Sequence, residues 1–218
     1  MDQYQMNIAE INALAVDAGG VIRKDVDPQM HTYFQSLLEV KKDIYEKVWH
    51  QLYPLLSTGQ ISEDEFFNKM HALTKSPASD LFPFAESVTA ELRRLFQANK
   101  NVLGMIRIAK DRDYKLALTS NSHPMQARVD EEKGMYDIFN VRILSHEIGV
   151  KKPDPKFFDI IARKLSIQHR NIVLIDDRKK NIEGAMSTGM LGILYLDTQQ
   201  MRRDLRTLGV DIADTLRR

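Results

Sequence analysis

Short apolar runs that stop at a polar or acidic residue recur along the chain. Runs of this length, bounded by turn residues, are typical of strands buried on both faces of a parallel sheet. We therefore predict strands over residues 12–17, 115–120, 171–176 and 192–196, with a weaker one over 141–145.

Amphipathic, helix-like patterns separate most of these runs. Residues 101–111 carry one such pattern. A second covers 157–165 and follows Asp154-Pro155, a suitable N-cap with proline at the first helical position. A third covers 179–188 and ends before Gly189, which suits the residue after a helix. Strands that alternate with helices predict an α/β fold, a doubly wound Rossmann-like core with a parallel sheet.

The strand signal disappears between residues 24 and 99. Helical periodicity replaces it, and Ser62 with Glu65 forms a capping box, which Asp43 with Glu46 resembles. Pro54, the cluster at 57–59 and the stretch 75–83 punctuate the helices. We predict a helical-bundle cap domain over 24–100, inserted into a core domain formed by 1–23 and 101–218. The predicted cap helices cover 30–40, 44–56, 63–73 and 86–98.

Composition narrows the classes of function. The 218 residues are 43% hydrophobic and 28% charged, with a net charge of +1, so no long-range field favours nucleic acid or an anionic membrane. No run reaches the ~18 apolar residues that span a bilayer, and the first twelve residues lack a secretory signal. The absence of cysteine excludes disulfides, thiolate nucleophiles and cysteine zinc sites. We expect a cytoplasmic protein without nucleic-acid or membrane partners; its oligomeric state is not predicted.

Four polar residues end or follow the predicted strands: Asp17, Ser120, Lys152 and Asp176. Ligands of open parallel sheets bind beyond the carboxyl ends of the strands. A buried carboxylate is costly unless it is paired, so two acids at strand ends suggest a shared cation. Oxygen ligands suit Mg²⁺, which often combines one or two carboxylates with substrate phosphate.

The segments around these residues resemble the four motifs of the haloacid dehalogenase-like hydrolase superfamily, in order. They read VDAGGVI with Asp17, LALTSN with Ser120, GVKKPDPKFFDII with Lys152, and LIDDRKKNIEGAMSTGM with Asp176 and Asp177. The resemblance covers the predicted core, and the inserted helices are similar to the helical cap of that family. It implies a phosphatase-type enzyme that acts on a small phosphorylated metabolite.

The resemblance also implies a role for each residue. Asp17 would be the nucleophile and form an aspartyl-phosphate, and Lys152 would neutralise charge there. The Mg²⁺ ligands would be Asp17, Asp176, Asp177 and the carbonyl of Gly19. The phosphate would meet Ser120, Asn121 and the loop at Gly19 and Gly20, whose glycines permit a close approach.

Each assignment has a simpler alternative. Asp17 could be a strand-end acid that caps a loop, Ser120 a turn residue, and Lys152 a solvated lysine. Asp177 could serve only as a helix N-cap. His123, shortly after Ser120, is a candidate acid–base group, although a histidine in a loop often has no chemical task.

Gly19 departs from the pattern of the phosphatases that the sequence resembles. They usually carry a second Asp at this position, which protonates the leaving group; losing such a group costs about 10² to 10⁴ in rate. Substrates with good leaving groups, a substitute acid or lost turnover could each explain the glycine. The alternatives to a phosphatase are therefore a 2-haloacid dehalogenase-like hydrolase and a non-catalytic binding or regulatory protein.

Overall fold

The computed structural model describes residues 10–78 and 84–212. Residues 1–9 lie outside the described part. They belong to the predicted core domain and to the first twelve residues, for which no secretory signal was predicted. Residues 79–83 of the predicted interruption at 75–83, and residues 213–218 at the end of the predicted core, also lie outside the described part.

The core is a five-stranded, fully parallel sheet with the strand order β3-β2-β1-β4-β5. This confirms the predicted α/β parallel-sheet class. The first strand of the chain is central. It lies between β2 and β4, and the carboxyl ends of all three strands lie at the same edge of the sheet. The strands are β1 Ala13–Asp17, β2 Lys115–Ser120, β3 Val141–Leu144, β4 Ile172–Asp176 and β5 Leu191–Leu194.

Helices cover both faces of the sheet. Large side chains of β1, such as Leu14 and Val16, face one cluster, while Ala13 and Ala15 face the other, where Phe157 and its neighbours fill the space. Within the described ranges, no helix is long and apolar enough to cross a membrane. From residue 100 onward, the helices are α5 Lys100–Lys110, α6 Pro124–Glu132, α7 Ser145–Ile148, α8 Pro155–Leu165, α9 Lys179–Ser187 and α10 Thr198–Thr207.

Four helices lie between β1 and α5 and form a separate aromatic cluster. Trp49 is at its centre, stacked on Tyr53 with ring centroids 4.7 Å apart and packed against Phe34 at 5.0 Å. Met125 and Val129 of α6 join this cluster, so α6 connects it to the sheet. The four helices are α1 Asp27–Leu38, α2 Lys42–Ser57, α3 Glu63–Thr74 and α4 Phe84–Leu95.

One local prediction in this helical segment was wrong, the capping box at Asp43 and Glu46, whereas Ser62 caps α3 as predicted, accepting a hydrogen bond from the Glu65 amide at 3.1 Å. Helix α2 begins at Lys42 with no side-chain cap, so Asp43 lies inside the first turn, where its charge favours the helix dipole. Pro54 lies within α2, which continues to Ser57. Proline costs a hydrogen bond, but burial of Leu52 and of residues beyond the proline holds the helix together.

Candidate active site

Two acids meet at the carboxyl ends of the central strands. Val16 pairs with Ile175, so Asp17 and Asp176, the last residues of β1 and β4, emerge side by side. Asp176 is fully buried and Asp17 nearly so. Together with Asp177, each offers one carboxylate oxygen, and these three oxygens lie within 4.8 Å of one another. The structure therefore brings together the three acids that the sequence predicted as a group.

Lys152 is the cation of this group. Its buried ammonium donates to Asp17 Oδ1 at 2.5 Å, to Asp176 Oδ2 at 2.7 Å and to Thr119 Oγ1 at 3.3 Å. Burial alone would lower the pKa of Lys152, but the two carboxylates outweigh it and raise the pKa. Burial has the opposite effect on the carboxyl of Asp17 and raises its pKa, although the charge of Lys152 acts to lower it. Lys152 is thus not a solvated lysine.

Asn121 fixes the backbone of Lys152. Its Oδ1 accepts a hydrogen bond from the Lys152 amide at 2.8 Å, and its Nδ2 donates to the Lys152 carbonyl at 2.8 Å. The side chain that we predicted at the phosphate is therefore engaged with the protein, although Asn121 still lines the cavity next to Ser120. The paired bonds explain why Lys152, and not Lys151, points at the acids.

Asn181 holds Asp176, a contact that the sequence did not reveal. Its Nδ2 donates to both oxygens of Asp176, at 2.9 and 3.1 Å, and the Arg178 amide donates to Oδ1 at 2.9 Å. Asp177 differs, because its buried Oδ1 has no hydrogen-bond partner among the described residues. Burial, followed by the charge of Asp176, raises its pKa. Three clustered carboxylates, one with an unpaired buried oxygen, fit a hard divalent cation such as Mg²⁺.

The loop after β1 folds back on itself. The Gly20 amide donates to the Arg23 carbonyl at 2.8 Å, and the Arg23 amide donates to the Ala18 carbonyl at 2.9 Å. Gly20 has a φ of +80°, a conformation that favours glycine. The tight turn uses the Gly20 amide itself, so the phosphate contact predicted at Gly20 would have to come from a donor other than this amide.

A cavity of about 190 Å³ opens beside Asp17. Ser120, which is almost fully buried, lies on its wall with Gly19 and Asn121. Tyr53 and Ser57 of α2 line it from the helical segment. Its charged lining consists of the basic residues Arg23, Lys151, Lys152, Arg178 and Lys180 and the acidic residues Asp17, Asp25 and Asp27. Arg23, Lys152 and Arg178 are ion-paired, so an anion in the cavity would be met mainly by the charges of Lys151 and Lys180.

His123 does not line this cavity. It is the N-cap of α6, where its Nδ1 accepts from the Gln126 amide at 3.4 Å, and its ring packs edge-on against Tyr53. Burial, followed by the charge of Arg23, lowers the pKa of His123 to about 3. The ring is therefore neutral near pH 7 and carries no proton that an imidazolium could donate.

Comparisons with known proteins agree with this architecture. A family model described as a haloacid dehalogenase-like hydrolase matches residues 11–189. The chain belongs to this family of hydrolases. One curated relative, the sesquiterpene phosphatase astK of Aspergillus oryzae, is 22% identical over 200 residues, which are 90% of this chain and 95% of that protein. Seven other curated relatives match over 26% to 52% of their own length.

Solved structures share the fold at low sequence identity. A predicted haloacid dehalogenase-like hydrolase from Porphyromonas gingivalis has a TM-score of 0.71 and 21% identity, covering 91% of this chain and 99% of its own. The family enzyme bt-2542 from Bacteroides thetaiotaomicron, in complex with magnesium and inorganic phosphate, has a TM-score of 0.68 and 20% identity over 84% of this chain and 93% of its own. At such identities the likeness concerns the fold.

Proposed function

We propose that this chain is a Mg²⁺-dependent phosphatase that removes phosphate from a small phosphorylated metabolite through an aspartyl-phosphate on Asp17. The observation that carries the proposal is the group of buried Asp17, Asp176 and Lys152 with half-buried Asp177, beside a cavity lined by basic and acidic residues. The names of several curated relatives, including the phosphorylated carbohydrates phosphatase of Thermotoga maritima, support phosphate as the group removed.

Asp17, Asp176, Asp177 and the Gly19 carbonyl would hold the metal. Mg²⁺ bound there would offset the negative charge of the carboxylates and of the phosphate. Asn181 would keep Asp176 in position for this task through its two hydrogen bonds. The magnesium and phosphate in the structure of bt-2542 support the choice of cation.

The side chains supply the remaining chemistry. An Asp17 oxygen attacks phosphorus, the bond from phosphorus to the leaving oxygen breaks, and its electron pair stays on that oxygen. Water then attacks the phosphorus of the aspartyl-phosphate, the P–O bond to Asp17 breaks and its electron pair stays on the carboxylate, and both protons of the water leave with the inorganic phosphate. Lys152 counters the charge at Asp17, and Ser120 donates its hydroxyl to the phosphoryl oxygens.

Helices α1–α4 are proposed as the cap, with the domain boundaries predicted above. Tyr53, Ser57, Asp25 and Asp27 bring this segment to the cavity wall, so they are placed to contact the part of the substrate beyond the phosphate. A cap over the cavity also excludes water from the reaction. The cytoplasmic location predicted from the sequence stays a prediction.

The test is a phosphatase screen over sugar phosphates, nucleotides and acyl phosphates, with Mg²⁺ or with a chelator. We expect Mg²⁺-dependent phosphate release that Asp176→Asn lowers at least ~100-fold, whereas Asp159→Asn, at an exposed site of α8, leaves it unchanged. Full activity in chelator, with chloride release from a 2-haloacid, would establish the dehalogenase instead. Phosphate binding without any turnover would point to the non-catalytic protein.

A further inference from the structure

The guanidinium of Arg23 borders the space beside Gly19. A Cβ added to Gly19 would lie 3.6 Å from Arg23 Nη1, 3.7 Å from Nη2 and 3.8 Å from Cζ. A carboxylate at position 19 would therefore extend directly against this cation. A proton-donating side chain at position 19 would therefore lie against a permanent positive charge.

Arg23 is held there by a buried ion pair. Its Nε lies 3.1 Å from Asp130 Oδ1 and 3.3 Å from Oδ2, and both side chains are almost fully buried. Gln126 donates a further hydrogen bond to Asp130 Oδ1 at 2.7 Å. Because Asp130 engages Nε, the two Nη groups remain directed toward Gly19 and the cavity that Arg23 lines. Burying such a pair brings little stability on its own, so its position beside the nucleophile loop calls for a functional reason.

A guanidinium and a carboxylic acid serve a leaving group differently. Arginine stays protonated at every physiological pH, so Arg23 transfers no proton. Its Nη groups are fixed donors, which stabilise an oxygen that carries negative charge. Such help suffices when the departing group is stable as an anion. It does not suffice for an alcohol, whose pKa is close to the value of about 15.7 for water.

We propose that Arg23 replaces the absent acid by binding the departing oxygen as an anion, and that the substrates are phosphoric anhydrides, such as organic diphosphates. This inference rests on the proposed function. When Asp17 attacks the terminal phosphorus, the bridging P–O bond breaks and its electron pair leaves with a phosphate monoester. That product departs ionised beside Arg23, and no proton has to be supplied.

The charges at the cavity mouth fit an additional phosphate group. Lys151 and Lys180 also line the cavity, and neither has an ion-pair partner among the described residues, whereas Arg178 is paired with Asp27. A phosphate monoester has one anionic phosphoryl group that needs a counter-charge. A diphosphate carries a second anionic group, which these basic residues can neutralise. The basic excess of the lining is therefore explained by the same class of substrate.

The kinetic test compares methyl diphosphate with methyl phosphate, together with a series of aryl phosphates that differ in leaving-group pKa. We expect kcat/KM for methyl diphosphate to exceed that for methyl phosphate at least ~100-fold. Arg23→Gln should lower kcat on methyl diphosphate ~100-fold, and along the aryl series its loss should grow with leaving-group pKa. Arg23→Lys, which keeps the charge, should recover part of the loss.

Two controls separate this role from a structural one. Arg93→Gln removes an exposed arginine that pairs with Glu132, and it should leave every rate unchanged. If Arg23→Gln folds poorly, Arg23→Gln combined with Asp130→Asn leaves neither charge buried alone and replaces it in the series. Equal losses for all leaving groups, or methyl phosphate cleaved as fast as methyl diphosphate, would overturn the proposal.

Binding decides the matter independently of turnover. In Asp17→Asn with Mg²⁺ present, pyrophosphate should bind at least ~10-fold more tightly than orthophosphate, and Arg23→Gln should reduce this difference. A ratio near one in Asp17→Asn, or a ratio unaffected by Arg23→Gln, would contradict the role of Arg23. If no substrate is turned over while the ratio behaves as expected, the proposed hydrolysis fails but the anhydride-binding site stands.

Discussion

Gly20 and Asp177 lie so close together that no side chain fits between them. A Cβ added to Gly20 would overlap the carboxylate of Asp177, with Cγ only 2.6 Å away, and Gly20 also has a φ of +80°. Neither restriction applies to Gly19, where an added Cβ would make ordinary contacts with Arg23. The two adjacent glycines therefore differ in what a side chain would disturb. At Gly20 it would disturb the turn and the carboxylate of Asp177, whereas at Gly19 it would extend toward the cavity.

Gly20→Ala should consequently damage both the fold and the metal site. We expect a loss of about 1–3 kcal/mol in the free energy of unfolding, because the turn must adopt a strained conformation. Mg²⁺ affinity should also fall, because Asp177 is displaced. Denaturant unfolding and calorimetric titration with Mg²⁺ measure the two effects. Gly19→Ala serves as the matched variant and should keep its stability within ~0.5 kcal/mol; equal damage from both substitutions would contradict this account of the loop.

Asn181→Ala should weaken Mg²⁺ binding ~10- to 100-fold, the usual effect of removing a group that orients a metal ligand. The variant loses both hydrogen bonds from Asn181 to Asp176 and leaves that carboxylate held by the Lys152 ammonium and the Arg178 amide. Isothermal titration with Mg²⁺ is the direct measurement. Asn68→Ala, an exposed asparagine of α3, provides the control and should bind Mg²⁺ as the parent does. An unchanged affinity in Asn181→Ala would mean that Asp176 needs no support from α9.

His123 should make stability depend on acid. Its pKa lies below the unfolded value of 6.5, at about 3, so the unfolded chain takes up the proton first. Its contribution to stability is therefore present above pH 6.5 and is lost as pH falls toward 3, by up to about 1.4 kcal/mol per pH unit. His123→Asn keeps an N-cap residue at α6 and should reduce the slope of unfolding free energy against pH between 6.5 and 4.

The same variant tests whether His123 is an acid–base catalyst. Because the ring is buried and neutral near pH 7, His123→Asn should change kcat less than ~3-fold at that pH. The exposed His50, changed to Asn, is the reference for kcat, which should stay as in the parent. A loss of about 100-fold in kcat together with a vanished acidic limb of the rate profile would show that His123 donates the proton after all.

The strands and the acids of the site were predictable because both depend on local patterns. An apolar run that ends in an acid marks β1 and β4, and parallel strands bring their carboxyl ends to one edge of the sheet. Asp17 and Asp176 could therefore be placed together before any coordinates were known. Lys152 was identified through its motif, although its burial between the two acids has no local signature.

The supporting contacts were not predictable, because they join residues far apart in the sequence. The pair Arg23–Asp130 spans 107 residues, and Asn121 reaches the backbone of Lys152 across 31. In the sequence, Arg23 has the pattern of an ordinary surface charge. In the structure, the turn at Gly20 places it beside Gly19.

The central claim is that Asp17 itself accepts the phosphoryl group. Rapid mixing of the enzyme with Mg²⁺ and a substrate that it turns over, followed by acid quench and peptide mass spectrometry, tests it most directly. The account predicts one phosphoryl group on the peptide that contains Asp17, formed and lost at rates compatible with kcat, and none in Asp17→Asn. Steady release of phosphate with no phosphorylated Asp17 at any time point would contradict it.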